Sequence, residues 1–342
     1  MRYVMALEGG GSKTACLIAD ENLRIVGHGL GGPTNVNFVT PAVARQSVVD
    51  AVASARSSCA SRPERIDVVC VSHGAADWEE AVRQMVPFGR AVGAGEAEVV
   101  RVANLRSRYG VVVIAGTGSV ASAVNRRGEA YASGGWGTPL GDEGGAVDIA
   151  MKAIAAAIRA QDGRGRATGL VDEVVAYFGL NQMRELVPLF YQTGVARHRI
   201  GALFYRVHRR AREGDAVARS LLAQAGRELG LCAAAAIRRA GMQDETFDVA
   251  VSGGVTRAGE LVLGPMRATV QKRAPGARVW AAKLQPVCGA LLIALREAGV
   301  PAGVASRVRL RREIRRAGLE GWPGSELEKG GESVSASMVR GV

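Results

Sequence analysis

The sequence predicts an α/β protein that contains two similar lobes. Two stretches about a hundred residues apart share one pattern, in which an apolar strand runs into a turn of glycine and hydroxyl residues and a second strand follows. The first turn lies at residues 8–14 and the second at residues 116–119. Elsewhere, β-branched runs alternate with stretches of helical composition. An internal repeat of this kind predicts two lobes built on the same plan.

The composition is that of a folded protein of two ordinary domains. The chain has 342 residues, of which 48% are hydrophobic and 22% are charged. Its net charge of +12 comes mainly from scattered arginines without interleaved aromatic residues, so we expect no specific nucleic-acid partner. The five cysteines form no CxxC pair, which argues against a zinc or iron–sulfur site. Because no signal peptide or membrane span is visible, we expect a cytoplasmic protein without a membrane partner.

Strands and helices alternate in the first lobe. Thr40 and Pro41 mark a helix start, because threonine caps the N-terminus and proline suits the first helical position. Asp77 and Glu80 form a capping-box pattern that predicts another helix. The predicted elements are strands at 1–7, 15–19, 23–27, 66–72 and 97–102, and helices at 42–59 and 77–88.

Two segments of the sequence partly match known nucleotide-binding patterns. Gly27–Gly32 fits GxGxxG, but a dinucleotide fingerprint must run directly into a helix, and Pro33 follows here. The P-loop pattern fails because Lys13 is not preceded directly by glycine. We therefore predict neither a Rossmann domain nor a P-loop.

The second lobe repeats the opening strands and then inserts several helices. A strand at Phe247–Val251 ends in a third glycine turn at residues 252–256. We predict helices at 147–160, 170–178, 200–212 and 216–240, one that begins at 259, and a last one at 284–298. The lobes are assigned to residues 1–108 and 109–305, with the helix at 284–298 able to pack back on the first lobe, and residues 306–342 as a loose basic and polar tail.

The glycine turns indicate where an anion would bind. In Gly116-Thr117-Gly118-Ser119 the glycines permit backbone angles that let N–H groups converge on a phosphate, and two hydroxyls add donors. Gly141-Asp142-Glu143-Gly144 follows soon after and carries adjacent carboxylates. A phosphate cradle next to carboxylates suggests phosphoryl transfer.

Five motifs in order carry a family resemblance. They are Glu8 to Thr14, Gly116 to Ser119, Gly134 to Gly137, Gly141 to Gly144, and Ser252 to Gly254. With them the chain resembles the BadF/BadG/BcrA/BcrD ATPase family over residues 2–300, and within that family the N-acetylglucosamine kinases of the actin, Hsp70 and hexokinase-like superfamily. The resemblance implies two ribonuclease H-like lobes (the actin-like ATPase fold), an interlobe nucleotide cleft, and the cofactors ATP and Mg²⁺.

The resemblance also assigns residues to ligands. Glu8 would hold the metal through water. The nucleotide would contact Gly10, Gly11, Ser12, Lys13, Thr14, Thr117, Gly118, Ser119, Ala202, Gly253 and Gly254. The amino sugar would contact Asn35, Ser72, Gly135, Trp136 and Asp142. From the residues alone, Trp136 either stacks on the sugar or packs against the protein, and Lys13 either pairs with phosphate or lies in solvent.

One expected carboxylate is absent from its predicted place. In the kinases of this family, the strand before the second phosphate turn ends in an aspartate that accepts the proton of the sugar hydroxyl. The place we match to it, Asn104-Leu105, has no carboxylate. A general base contributes about 10²–10⁴-fold, so we expect a slow kinase unless another group substitutes. Asp142 is the candidate catalytic residue, whereas Asp77 is explained by capping.

The leading hypothesis is ATP-dependent phosphorylation of an amino sugar such as N-acetylglucosamine or N-acetylmuramic acid. One alternative is an ATPase of the same family that couples hydrolysis to a partner protein. Another is a regulator that binds nucleotide or sugar with weak catalysis. Dehydratase activators of the family bridge a dimer with cysteine-bound iron–sulfur, and this chain lacks suitably placed cysteines. The resemblance further suggests a homodimer through the second lobe.

Overall fold

The computed structural model describes residues 1–59, 61–73 and 77–320. They form an α/β fold with two five-stranded sheets. The strands are β1 (Tyr3–Gly9), β2 (Thr14–Asp20), β3 (Ile25–Gly31), β4 (Ile66–Ser72), β5 (Phe88–Ala94), β6 (Gly110–Ala115), β7 (Ser119–Val124), β8 (Ala130–Gly134), β9 (Phe247–Ser252) and β10 (Ala277–Ala281). The longer helices are α1 (Pro41–Ser57), α2 (Trp78–Arg83), α3 (Glu96–Asn104), α4 (Ala146–Gln161), α5 (Leu170–Phe178), α6 (Arg197–Arg212), α7 (Ala216–Arg239), α8 (Glu260–Gln271), α9 (Pro286–Glu297) and α10 (Val304–Arg316). Short helical segments lie at Met183–Glu185, Leu186–Pro188, Leu189–Thr193 and Gly254–Ala258.

The two sheets have the same strand order. The order is β3-β2-β1-β4-β5 in the first sheet and β8-β7-β6-β9-β10 in the second. In each sheet the first three strands along the chain pair antiparallel. The last two strands then run parallel to the first one. The predicted α/β fold with two similar lobes is therefore confirmed.

The chain divides into two units, and each unit holds one sheet. One unit joins Met1–Tyr109 to the segment that begins at Ala282, and the other is Gly110–Ala281. The second unit ends at Ala281 and not at residue 305, and α9 packs on the first sheet, as was allowed for the helix predicted at 284–298. The structure also differs from the loose tail predicted from residue 306, since residues 306–316 belong to α10 and Leu310 is buried. Residues 321–342 of that predicted tail lie outside the described residues.

The first sheet is covered on both faces, and β1 shows how the sequence achieves this. Because successive strand residues point to opposite faces, Met5 and Leu7 pack in the core formed with α1, while Val4 and Ala6 pack in the core formed with α9. A strand buried on both faces has an unbroken apolar run, and Val4 to Leu7 is such a run.

The glycines that mimic a dinucleotide fingerprint lie on β3 and allow close packing against α1. A side chain at Gly27, Gly29 or Gly31 would collide with backbone atoms of that helix. The helix itself begins as predicted, with Pro41 at its start and the Thr40 hydroxyl accepting a hydrogen bond from the Val43 backbone N–H. The glycines are therefore explained by packing.

The largest departure from the predicted elements lies between residues 77 and 104. The predicted strand at 97–102 is wrong, because Glu96–Asn104 forms helix α3, which buries Val99, Val100 and Ala103. The strand of this region is β5, and α2 ends at Arg83. Asp77 makes no capping hydrogen bond with its side chain. It forms instead an ion pair with Arg45 at 2.9 Å.

Candidate active site

The first glycine turn joins β1 to β2 and draws Asn35 to its side. The backbone carbonyl of Gly10 accepts hydrogen bonds from the N–H groups of Thr34 at 3.0 Å and Asn35 at 3.3 Å. A side chain at Gly9 would collide with the Thr34 hydroxyl and the His73 carbonyl, whereas a side chain at Gly10 would meet open space. The turn thus has a packed side and an open side, and the open side leaves room for a ligand.

Thr14, at the end of this turn, differs from the other predicted nucleotide contacts. It is buried, and its hydroxyl donates a hydrogen bond to the Gly32 carbonyl at 2.8 Å. Its side chain therefore holds β2 to the segment after β3, and nothing in this geometry directs it toward a phosphate.

Three parallel strands of the first sheet bring polar residues into one row at their carboxyl ends. Glu8 on β1 is opposite Ser72 on β4, and Ser72 is opposite Ala94 on β5. Helix α3 begins two residues after Ala94 with Glu96. Ligands bind outside the carboxyl ends of such strands in open α/β sheets, so this row is a candidate site.

The row contains a carboxyl group with a raised pKa. The pKa of Glu8 is raised to about 7, mainly because the group is buried; the nearby Lys13 opposes this rise and the charge of Glu96 adds to it. The buried Ser72 hydroxyl has no hydrogen-bond partner among the residues that the structure describes. A buried polar atom without a partner is uncommon in native proteins, and a ligand hydroxyl is one group that could satisfy it.

The second glycine turn is fixed to the start of α4. The N–H groups of Ala146 and Val147 donate to the carbonyls of Gly116 at 2.8 Å and Thr117 at 3.2 Å. The Ser119 hydroxyl donates to the Glu143 carbonyl at 2.8 Å. A side chain at Gly116 would meet open space. The first N–H groups of α4 and the Ser119 hydroxyl, which we predicted to contact phosphate, thus donate hydrogen bonds within the protein, and the open space at Gly116 is the side of the turn on which a ligand could lie.

Asp142 lies directly against this turn, and two groups hold its carboxylate. Its carboxylate pairs with Arg197 of α6 at 2.6 Å, and both side chains are almost fully buried. The Gly137 N–H donates to the other carboxylate oxygen at 3.3 Å. A side chain at Gly118 would collide with the carboxylate, and Asp142 itself adopts a φ of 70°. Asp142, Gly118 and Arg197 therefore form one packed group.

The third glycine turn touches the second one. Ser252 is opposite Ile114 in the parallel pair of β9 and β6, which places both strand ends at one edge of the sheet. Gly253 has a φ of 108°, and a side chain there would collide with the carbonyl of Ala115. A side chain at Gly254 would meet the Tyr205 hydroxyl of α6 at 3.5 Å. The predicted nucleotide residues of the second unit thus lie on adjoining elements.

The remaining predicted residues of this unit lie on α6 and on the loop after β8. Ala202 is partly buried on α6. The Gly135 N–H donates to the Ser119 carbonyl at 2.9 Å, which fastens the loop to the second glycine turn. Trp136 has 75% of its surface exposed, so packing does not account for this large apolar side chain.

The family follows from a comparison of the whole sequence. The sequence profile of the BadF/BadG/BcrA/BcrD ATPase family matches residues 7–294. The chain belongs to this family.

Relatives of this BadF/BadG/BcrA/BcrD protein include sugar kinases. It is 28% identical to an N-acetylmuramic acid/N-acetylglucosamine kinase of Clostridium acetobutylicum, over 87% of this chain and 99% of that one. It is 26% identical to a glucosamine kinase of Vibrio cholerae, over 67% of this chain and 78% of that one. A candidate N-acetylglucosamine kinase from Chromobacterium violaceum has a similar fold, with a TM-score of 0.65, 23% identity, and coverage of 86% of this chain and 99% of that one.

The structure of this BadF/BadG/BcrA/BcrD member places Asn104-Leu105 at the end of a helix and not at the end of a strand. Leu105 is buried. The Asn104 side chain donates to the Leu284 carbonyl at 3.0 Å and accepts from the N–H groups of Lys283 and Leu284. Asn104 therefore ties the end of α3 to the segment before α9. The strand that ends beside Ser72 is β5, and the first carboxylate after it is that of Glu96.

Two site residues were missed by sequence reasoning. Glu96 was hidden because residues 97–102 were assigned to a strand, and a correct assignment of β5 would have revealed it. Arg197 lies 55 residues after Asp142, and no local pattern links the two. Neither a cluster of three or more residues that could bind a metal nor a helix long and apolar enough to cross a membrane occurs within residues 1–59, 61–73 and 77–320.

Proposed function

We propose that the protein transfers the γ-phosphoryl group of ATP to a hydroxyl of an amino sugar. The observation that carries the proposal is the second glycine turn, where a cradle with open space at Gly116 adjoins a buried, oriented carboxylate at Asp142. A phosphate and a sugar hydroxyl are the groups that these two features suit. The sugar kinases among the relatives act on N-acetylglucosamine, N-acetylmuramic acid or glucosamine, and we take amino sugars as the substrate class.

From the family resemblance, we propose that the phosphates of the nucleotide contact the glycine turns and that Glu8 serves the metal. Gly10 and Gly116 leave room for phosphate oxygens beside backbone N–H groups. Glu8 offers the hard oxygen ligand that Mg²⁺ prefers, and a cation close to it would favour its ionised form. When bound, Mg²⁺ would neutralise charge on the triphosphate. Because no cluster of three ligating side chains occurs among the described residues, most of the metal's ligands would be phosphates and water.

Glu96 is our candidate for the general base. Its helix begins at the carboxyl end of β5, in the row that contains Glu8 and Ser72. In the reaction, Glu96 would take the proton of the sugar hydroxyl while the hydroxyl oxygen bonds to the γ-phosphorus of ATP. The bond from that phosphorus to the bridging oxygen would break, and ADP would leave. This assignment replaces Asp142 as the base.

Asp142 suits a different role. One of its carboxylate oxygens accepts from Arg197 and the other from the Gly137 N–H. Both oxygens are thus engaged by donors of the protein, which fix the orientation of the carboxylate. It can still accept hydrogen bonds from sugar hydroxyls, because each oxygen has a second lone pair. We assign Asp142 to sugar binding, together with Asn35, Ser72, Gly135 and Trp136.

The proposed function is tested with purified protein, ATP, Mg²⁺ and a panel of amino sugars. ADP release that depends on an amino sugar, with a phosphorylated sugar as product, is the expected result. Release without sugar would indicate an ATPase that serves another partner. Sugar binding in calorimetry without turnover would indicate a regulator. Either of the last two results would overturn the kinase assignment.

The assignment of Glu96 is tested by Glu96→Gln. Loss of a general base should lower kcat by about 10²–10⁴-fold, with little change in the affinity for ATP. Glu98→Gln is the matched control, because Glu98 is exposed on the same helix. Its kcat should stay within about twofold of wild type. Equal kcat values for the two variants would remove Glu96 from the reaction.

We also propose a cytoplasmic location and a homodimeric assembly. A kinase that consumes ATP is expected in the cytoplasm, and we propose no nucleic-acid or membrane partner. A homodimer remains our proposal from the family resemblance. Sedimentation analysis at several protein concentrations would show a species of twice the chain mass if the proposal is right.

A further inference from the structure

Arg197 and Asp142 form a buried ion pair beside the second glycine turn. The Arg197 guanidinium donates to Asp142 at 2.6 Å and to the Thr138 hydroxyl at 3.0 Å. The exposed fractions are only 13% for the Arg197 side chain and 7% for that of Asp142. Charges withdrawn from water in this way are screened weakly, so each one strongly affects a neighbouring group.

The position of Arg197 does not stabilise its own helix. It is the first residue of α6, and the first turn of this helix contains no acidic residue. Cations are unfavourable at the positive N-terminal end of a helix. Arg197 instead contacts Asp142 and Thr138, both of which lie on the loop that follows Trp136.

The pair also fixes the shape of that loop. Asp142 has a φ of 70°, which non-glycine residues rarely adopt. Its carboxylate packs against the backbone of Gly118, where a side chain would collide with it. Because Arg197 and the Gly137 N–H hold the two carboxylate oxygens, the carboxylate has a single orientation toward the glycine turn.

We propose that Arg197 is a positioning and specificity residue, which orients Asp142 for the sugar hydroxyls and cancels its charge so that amino sugars bearing a carboxylate can bind. The inference rests on the proposed function, since it takes Asp142 as a sugar-binding residue. With the pair intact, the guanidinium offsets the charge of Asp142. Without the guanidinium, Asp142 would repel a carboxylate and attract an ammonium group.

Three related sugars give a direct measure of this effect. Near neutral pH, N-acetylmuramic acid is an anion, N-acetylglucosamine is neutral, and glucosamine is largely a cation. A unit charge within several ångströms of the substrate in partly buried surroundings changes relative kcat/KM values by roughly tenfold or more. A purely structural defect would lower kcat/KM for all three sugars by a similar factor.

The experiment compares wild type with Arg197→Gln and Arg197→Lys. In Arg197→Gln, the ratio of kcat/KM for N-acetylmuramic acid to that for glucosamine should fall by roughly tenfold or more. Arg197→Lys keeps the charge but loses the planar guanidinium, so KM should rise for all three sugars while the ratio stays near wild type. Arg199→Gln is the control, because Arg199 lies on the same helix and stacks on Phe178 at 5.6 Å. Its ratio should not change.

A double variant distinguishes the effect of charge on specificity from a loss of folding. Arg197→Gln leaves Asp142 as a buried charge without its guanidinium, which can destabilise a protein strongly. Arg197→Gln combined with Asp142→Asn removes both charges, and its preference among the three sugars should return to within about threefold of wild type. Circular dichroism and thermal unfolding establish that each variant is folded.

The possible outcomes separate this inference from the proposed function. If wild type phosphorylates no amino sugar, the proposed function fails. If it phosphorylates glucosamine and N-acetylglucosamine but not N-acetylmuramic acid, the function stands and the inference is wrong. The inference is also wrong if Arg197→Gln lowers kcat/KM equally for all three sugars, or if the double variant keeps a shifted preference.

Discussion

Replacing Glu8 by glutamine should change how the stability of the first unit depends on pH. Burial raises the pKa of Glu8 from 4.5 to about 7, with Lys13 lowering it and Glu96 raising it. Below pH 4.5 both the folded and the unfolded chain keep this proton, and burial of the neutral group has no ionisation penalty. Between pH 4.5 and 7 the unfolded chain releases the proton while the folded chain retains it. The free energy of unfolding therefore falls across this interval and levels off above it.

The size of the effect follows from the pKa shift. Each pKa unit corresponds to about 1.4 kcal/mol, so a shift from 4.5 to about 7 gives roughly 3 kcal/mol. Glu8→Gln has no proton to release at this position. At mildly alkaline pH, where the Glu8 carboxylate is charged, the free energy of unfolding of the variant relative to wild type should be roughly 3 kcal/mol higher than it is at acidic pH.

Hydrogen exchange of β1 amides measures this local stability in the full chain. The experiment uses a chelator to keep divalent cations away from Glu8. Protection factors of β1 in Glu8→Gln should exceed those of wild type by roughly a hundredfold at the alkaline end and should approach them at the acidic end. Glu64→Gln, which alters an exposed residue of the same unit, is the control. A difference between Glu8→Gln and wild type that stays constant with pH would refute the reasoning.

Three further substitutions test the fold and the site. Gly118→Ala should raise the KM for the sugar at least about tenfold, since the new methyl group would displace the Asp142 carboxylate; steady-state kinetics would contradict this with an unchanged KM. Asn104→Ala should lower the free energy of unfolding by about 2 kcal/mol or more, because backbone groups of residues 283 and 284 lose their partners; an unchanged urea midpoint would contradict it. Gly29→Ala should lower the free energy of unfolding by about 1–3 kcal/mol, because the new methyl group would collide with α1, and calorimetry should show a lower Tm. If Tm is unchanged, β3 and α1 do not pack as described.

The sequence predicts the repeat and the turns well because these depend on local patterns. The apolar run of β1, the glycine turn after it and the helix start at Thr40 all require particular residue types at particular positions. The same strand and turn pattern recurs at β6, which is why the two-lobed fold could be predicted before any coordinates were known.

Elements that depend on tertiary contacts were harder to predict. The valines of α3 favour a strand by composition, and the segment is a helix because Val99 and Ala103 pack against the α9 side of the first sheet. Strand β5 contains two glycines, and only Phe88 in it is fully buried, so its own sequence is a weak strand signal. These two errors together conceal Glu96, our candidate for the general base.

The candidate site was predictable where it consists of backbone and less so where side chains converge from distant positions. The glycine turns and Asp142 are visible as motifs. The pairing of Asp142 with Arg197 depends on how α6 packs against α4, which no motif records. The charge of the sugar site could therefore be judged only from the structure.

The division of the first unit into two chain segments affects how the protein is made. Residues 1–109 emerge first during synthesis, yet one face of their sheet is covered by α9, which is translated after the whole of the second unit. Until then, apolar residues such as Leu17 and Cys70 lack their final cover on that face. A nascent chain in this condition is exposed to aggregation, and a ribosome-bound chaperone that shields apolar strands would have most to do during this interval.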